Sequence, residues 1–174
     1  MLHCTFVLNR LSTSSIICNV GWFTAFSGDG KHRNNPDSQN VPDNGPIPVG
    51  SYYIVDRQSG GRLGPVVDLL SGRDEWFALY RDDGTIDDAM FVQSVRRGLF
   101  RLHPLGPSGS SKGCVVVQHQ TQFDQLRAHL LRTPQRNVPG TALRTYGMME
   151  VALLASDRVE PKPPAGFAAS PRMA

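Results

Sequence analysis

Between Gly98 and Val117 the chain reads Gly-Leu-Phe-Arg-Leu-His-Pro-Leu-Gly-Pro-Ser-Gly-Ser-Ser-Lys-Gly-Cys-Val-Val-Val. Two β-forming runs bracket a loop of proline, glycine and serine, so the stretch must fold as strand, loop, strand. Side chains two apart on a strand share a face. Leu99, Arg101 and His103 therefore point one way, and Phe100 and Leu102 point the other, into a core. Beyond the loop Cys114 shares a face with Val116, while Val115, Val117 and His119 take the opposite one. His103 ends the first strand and Cys114 opens the second.

That juxtaposition carries chemistry. An imidazole beside a thiol takes its proton and leaves a thiolate, the minimal pair for nucleophilic catalysis. Gly113 lets the backbone turn sharply before Cys114, which can aim the Gly113 and Cys114 amides at a developing oxyanion. His119 lies on the wrong face to serve Cys114, and for the same reason a zinc site of His103, Cys114 and His119 is not expected. The bland alternative is a buried core cysteine near a strand-end histidine.

Ser111-Lys112-Gly113-Cys114 is similar to the Ser-His-Gly-Cys signature of the L,D-transpeptidases (YkuD-type), and His103 matches that family's upstream histidine. Gly45-Pro46-Ile47-Pro48-Val49-Gly50-Ser51-Tyr52-Tyr53-Ile54 resembles its Pro-x-Gly-x-aromatic segment leading into a strand. Together these cover about the middle half of the chain. The signature's second histidine is Lys112 here, the loop from His103 to Cys114 is shorter, and Val116 replaces the usual arginine. With Phe26-Ser27-Gly28-Asp29-Gly30 near the start, the chain looks most like the L,D-transpeptidase effectors delivered by bacterial type VI secretion systems.

The resemblance implies a β-sandwich-like mixed sheet with one packed helix, and a peptidoglycan stem peptide as substrate. Cys114 would attack the carbonyl of its meso-diaminopimelate centre, and His103 would protonate the departing D-alanine. Water then gives an L,D-carboxypeptidase, and an amine gives transpeptidation or D-amino-acid exchange. Neither cofactor nor metal is implied. Ser111 and Gly113 would shape the oxyanion turn, with Arg101 and Lys112 as candidate substrate-binding cations. Two competitors remain. An NlpC-type cysteine peptidase would place its cysteine at a helix N-terminus ahead of its histidine, whereas Cys114 runs into Val-Val-Val. A non-catalytic wall-binding module would keep the fold and lose the reactive thiol.

At 174 residues the chain is expected to form one domain over 1–155, able to bury about 70% of its unfolded surface, followed by a disordered Pro/Ala-rich tail over 156–174. Lys+Arg 18 against Asp+Glu 15 gives a net charge of +3 with no long basic run, so nucleic acid is not an expected partner. No stretch is long and apolar enough for a bilayer span, and no membrane partner is expected. The first 26 residues lack a basic start and a continuous apolar run, so they do not read as a signal peptide. An effector working in a target cell's periplasm would instead need a secretion-system carrier, and sibling cells would need a periplasmic immunity protein.

Cys4, Phe6 and Leu8 alternate with His3, Thr5 and Val7, which reads as a strand, and Ile16, Cys18, Val20 and Trp22 read as a second. A hairpin through 9–15 places Cys4 and Cys18 together on one face, where core thiols are their expected fate. Residues 27–50 read as a long surface loop forming one wall of a cleft, with Gly28-Asp29-Gly30 a turn rather than a phosphate loop. Strands are expected at 51–57, 66–70, 76–80 and 147–155, with a turn over 59–65. Asp82, Asp83, Asp87 and Asp88 lack calcium-loop spacing and read as a solvated acidic turn. Thr121 to Arg132 is the clearest helix: Thr121 and Asp124 have capping-box spacing, Phe123, Leu126 and Leu130 form an apolar stripe, and Pro134 follows. His129, at the margin of that stripe, reads as structural. The fold class is mostly β.

Overall fold

The computed structural model describes residues 1–57 and 75–154. The expected turn at 59–65, the strand at 66–70 and the tail from 156 lie outside them. The strands are β1 (Leu2–Leu8), β2 (Ser14–Cys18), β3 (Gly21–Ser27), β4 (Gly50–Asp56), β5 (Phe77–Arg81), β6 (Ala89–Val92), β7 (Val95–Gly98), β8 (Arg101–Pro104), β9 (Val115–Val117), β10 (Arg136–Asn137) and β11 (Arg144–Leu153). Among the described residues one α-helix, α1 (Gln120–Arg132), joins them. Among the described residues the protein is mostly β with one packed helix.

The main sheet is nine-stranded, in the order β1-β2-β3-β9-β8-β5-β4-β11-β10, and β1 also pairs with β11. That last pairing closes the sheet on itself, so it forms a barrel without long free edges. The sheet is mixed: β1–β11 and β8–β9 run parallel and the other pairs antiparallel. Inside lie Phe6, Leu8, Ile16, Phe23, Ile54, Leu79, Leu102, Val115, Val117 and Val151. The alternation in β1 follows the sequence reading, with Cys4, Phe6 and Leu8 buried.

Helix α1 lays Phe123, Leu126 and Leu130 into the same core. Its start differs from expectation. His119 is the N-cap, without a side-chain cap hydrogen bond, and Gln120 Nε2 donates to Asp124 Oδ1 at 2.8 Å. Asp124 is thereby engaged one turn along the helix, and the Thr121–Asp124 capping box does not form.

Three further features depart from the sequence reading. The run from Ile16 to Trp22 is two strands, because β2 and β3 pair as a tight hairpin with Cys18 opposite Gly21. Cys4 and Cys18 sit directly opposite each other on β1 and β2 and are joined as a disulfide rather than held as core thiols. The segment after the acidic turn forms a separate hairpin, β6–β7. Leu99 then turns with φ 58°, so the expected strand from Gly98 to His103 is broken there and β8 starts afresh at Arg101.

Between β3 and β4 the chain carries no strand, as expected, but it is well packed. Two 3-10 turns, Gly30–His32 and Pro36–Ser38, are capped by Asp29 and Asn35. Ile47 enters the core, and Asn34 is buried, accepting from Ser27 N at 2.8 Å and donating to Leu11 O at 2.9 Å.

Candidate active site

β9 lies between β3 and β8. Ser27 stands opposite Val115, and on the other side Leu102 pairs with Val115 and His103 with Val116. Since Leu102 and Val115 face the core, the alternate residues His103, Arg101 and Val116 face outward, and Cys114 joins them at the mouth of β9. The two strands run parallel, so the loop between them crosses back to the start of β8: Cys114 opens β9 beside Arg101, and His103, opposite Val116, lies two positions further along the same face. Cys114 is partly exposed and, with Cys4 and Cys18 joined, it is the free thiol. His119 begins the helix and is exposed.

His103 is 7% exposed, and its Nδ1 lies 2.7 Å from Pro104 O. A carbonyl only accepts, so Nδ1 carries a proton, and when the ring is neutral its lone pair is on Nε2. That is the tautomer a general base needs. Trp76 stacks on the imidazole with ring centroids 4.1 Å apart and 16° between planes. The register explains it: Phe77 pairs with Leu102, so the residue before Phe77 meets the residue after Leu102.

The turn before Cys114 is locked from behind. Ser111 Oγ donates to Cys114 O at 2.7 Å and accepts from Gly28 N at 3.3 Å. Ser27 Oγ donates to Gly113 O at 3.2 Å and accepts from Ile47 N at 2.8 Å. Gly113 has φ 97°, and a Cβ there would stand 2.7 Å from Arg97 Nη2 and 3.1 Å from the Phe100 ring. Only glycine satisfies both constraints. Gly28, expected as part of a plain turn, is thus one of the anchors of the site.

Arg101 is held by Asp88, which accepts from both its terminal nitrogens, Nη1 at 2.8 Å. Asp88 does not lie in a solvated acidic turn, as its neighbours in sequence suggest; it heads β6 and forms this ion pair at the site. Lys112 is exposed on the turn.

The thiol is not a resting thiolate. Burial pushes the Cys114 pKa up, the Arg101 main chain and then its guanidinium charge pull it down, and the Asp88 charge pushes it up. Desolvation is the largest of these, so the thiol keeps its proton at neutral pH and needs a base at the moment of attack. Cys114 Sγ makes a weak contact with Leu99 O at 3.8 Å.

The balance has a measurable consequence. Asp88→Asn removes the charge that disfavours the thiolate and leaves the Arg101 cation in place, so the Cys114 pKa falls. Iodoacetamide labelling at neutral pH is expected to speed up several-fold, and Arg101→Met is expected to slow it.

The geometry is that of a thiol, an oriented imidazole and a braced glycine turn, and comparison with known families puts a lineage to it. The Tlde1 domain model matches residues 21–141, a span that includes His103 and Cys114. The chain belongs to the Tlde1-domain family. That family is one of type VI secretion effectors. The Tlde1 match begins at β3 and stops before β11, so the disulfide-bonded strands β1 and β2 lie outside it. No curated protein and no solved structure matches the chain. Among the described residues no helix is long and apolar enough to cross a membrane.

Proposed function

We propose that this Tlde1 domain is an antibacterial cysteine enzyme acting on peptidoglycan stem peptides in the periplasm of a target cell, as an L,D-carboxypeptidase or L,D-transpeptidase. The observation that carries the reading is His103 with Nδ1 committed to a carbonyl, on the same outward face and adjoining strand as a free thiol. A structural cysteine has no need of an imidazole held in the base tautomer, nor of a turn braced by Ser27, Ser111 and Gly28.

In this reading Nε2 of His103 takes the Cys114 proton, and the sulfur attacks the carbonyl carbon of the meso-diaminopimelate centre. The C–S bond forms as negative charge moves to the carbonyl oxygen, which the Gly113 and Cys114 amides receive. Collapse breaks the C–N bond, and His103 gives its proton to the D-alanine amine. Water or an amine then attacks the thioester, activated by the same imidazole, and the thiol is restored. Trp76 holds the ring in plane through these proton transfers. The Arg101 cation favours the thiolate, and Lys112 at the surface is the candidate contact for a substrate carboxylate.

The test is incubation of the full chain with purified muropeptides and mass spectrometry of the products. Loss of the terminal D-alanine, or its exchange for an added D-amino acid, is the expected result. A cut between earlier residues of the stem would indicate an NlpC-like specificity, and intact muropeptides beside an unreactive thiol would indicate a wall-binding module. A secretion-system carrier and a periplasmic immunity protein covering Cys114 and His103 complete the proposal.

A further inference from the structure

Arg97 is 4% exposed. It sits on β7 opposite Met90, outside every motif that the sequence offers. Its guanidinium donates to Gln39 O through Nη1, and through Nη2 to Gly45 O at 3.0 Å and Pro46 O at 3.4 Å. Each of these is a main-chain carbonyl rather than a carboxylate. The guanidinium also lies 5.6 Å from the centre of the Phe100 ring. Its Nη2 comes within 2.7 Å of the point where a Gly113 Cβ would be.

A buried cation whose hydrogen bonds all go to carbonyls, with the Asp43 carboxylate acting on it through its charge alone, is costly to keep. A methionine of similar length would fill the same space without that cost. What the guanidinium adds is a rigid fork and a positive charge, both placed directly behind the peptide that precedes Cys114. The fork ties the 39–46 wall segment to the catalytic turn. The charge lies against the turn itself, where Gly45 O, one of its acceptors, is 3.3 Å from the same Gly113 Cβ position.

We propose that Arg97 is a positioning residue for the Cys114 chemistry, its buried guanidinium clamping the 39–46 segment against the Gly113 turn and lending that turn a fixed positive charge. The inference rests on the thiol chemistry proposed above, but it is read separately from peptide turnover. The groups acting directly on the Cys114 thiol are Arg101 and Asp88 and the Leu99 carbonyl, with the His103 imidazole on the same face of the adjoining strand.

The experiment uses the intact disulfide-bonded protein as wild type, Arg97→Gln and Arg97→Lys. Because Cys4 and Cys18 are joined, iodoacetamide reports on Cys114 alone. Arg97→Gln keeps hydrogen-bond donors and removes the charge. The midpoint of its alkylation rate against pH is expected to rise by about half a unit to one unit, with stem-peptide turnover roughly tenfold lower. Arg97→Lys keeps the charge and loses the fork, so it should hold the wild-type midpoint while turnover still falls. A folded Arg97→Gln protein with the wild-type midpoint overturns the proposal. Should Arg97→Gln fail to fold, Arg97→Lys decides: reduced turnover at an unchanged melting temperature supports the clamp, and wild-type turnover overturns it. If the wild type itself leaves stem peptides intact, the peptidoglycan reading fails, and the alkylation midpoint still decides the role of Arg97.

Discussion

Cys114→Ala is expected to abolish stem-peptide turnover, by at least about a thousandfold, while changing stability by about 1 kcal/mol or less. The asymmetry follows from what the sulfur touches. Its contact with Leu99 O, at 3.8 Å, is weak. The hydrogen bond that anchors this residue runs from Ser111 Oγ to the Cys114 carbonyl and survives the substitution. Circular dichroism and a thermal melt would show the fold retained, and product analysis would show the chemistry gone. His103→Ala should come close to the same loss, because the protonated thiol then has no base. It should cost more stability, since it strips the Trp76 ring of its stacking partner.

The second large effect is on stability rather than chemistry. Reducing the Cys4–Cys18 disulfide opens a loop spanning 14 positions, which corresponds to about 3 kcal/mol and, at this chain length, a fall in melting temperature of about 6–12 °C. The strands it joins include β1, which closes the barrel against β11. Neither β1 nor β2 contributes a residue to the site, so activity below the new melting temperature should be unchanged. Melting curves with and without reductant, together with a Cys4→Ala/Cys18→Ala variant, measure this. The bond also suits an oxidising compartment such as the periplasm, where the proposed substrate lies.

The sequence is informative where the signal is local. Alternation places Phe100 and Leu102 in the core and His103 on the outer face, and helical spacing selects Phe123, Leu126 and Leu130. The strand–loop–strand pattern around His103 and Cys114 is enough to set their side of the sheet and their order. What stays hidden depends on register between distant strands. Trp76 meets His103 only because β5 pairs with β8 in one alignment. Asp88 and Arg97 reach the site through the β6–β7 hairpin. That hairpin turns on Gln93 and Ser94, at φ 49° and 66°, positions where glycine or asparagine would have announced it. The cysteine spacing allows the disulfide, but two facing cysteines look alike in sequence whether bonded or packed as thiols. The charge state of the thiol is hidden for a similar reason. Burial of Cys114 comes from the whole surrounding fold, and it outweighs the nearby Arg101 charge.

The most direct test of the central claim is to trap the intermediate. Wild-type protein is mixed with a stem tetrapeptide, quenched in acid, digested and mapped by mass spectrometry. The account predicts a tripeptide thioester on the fragment carrying Cys114, absent from His103→Ala and Cys114→Ala. Peptide turnover by Cys114→Ala, or an acyl adduct on any other residue, would contradict it.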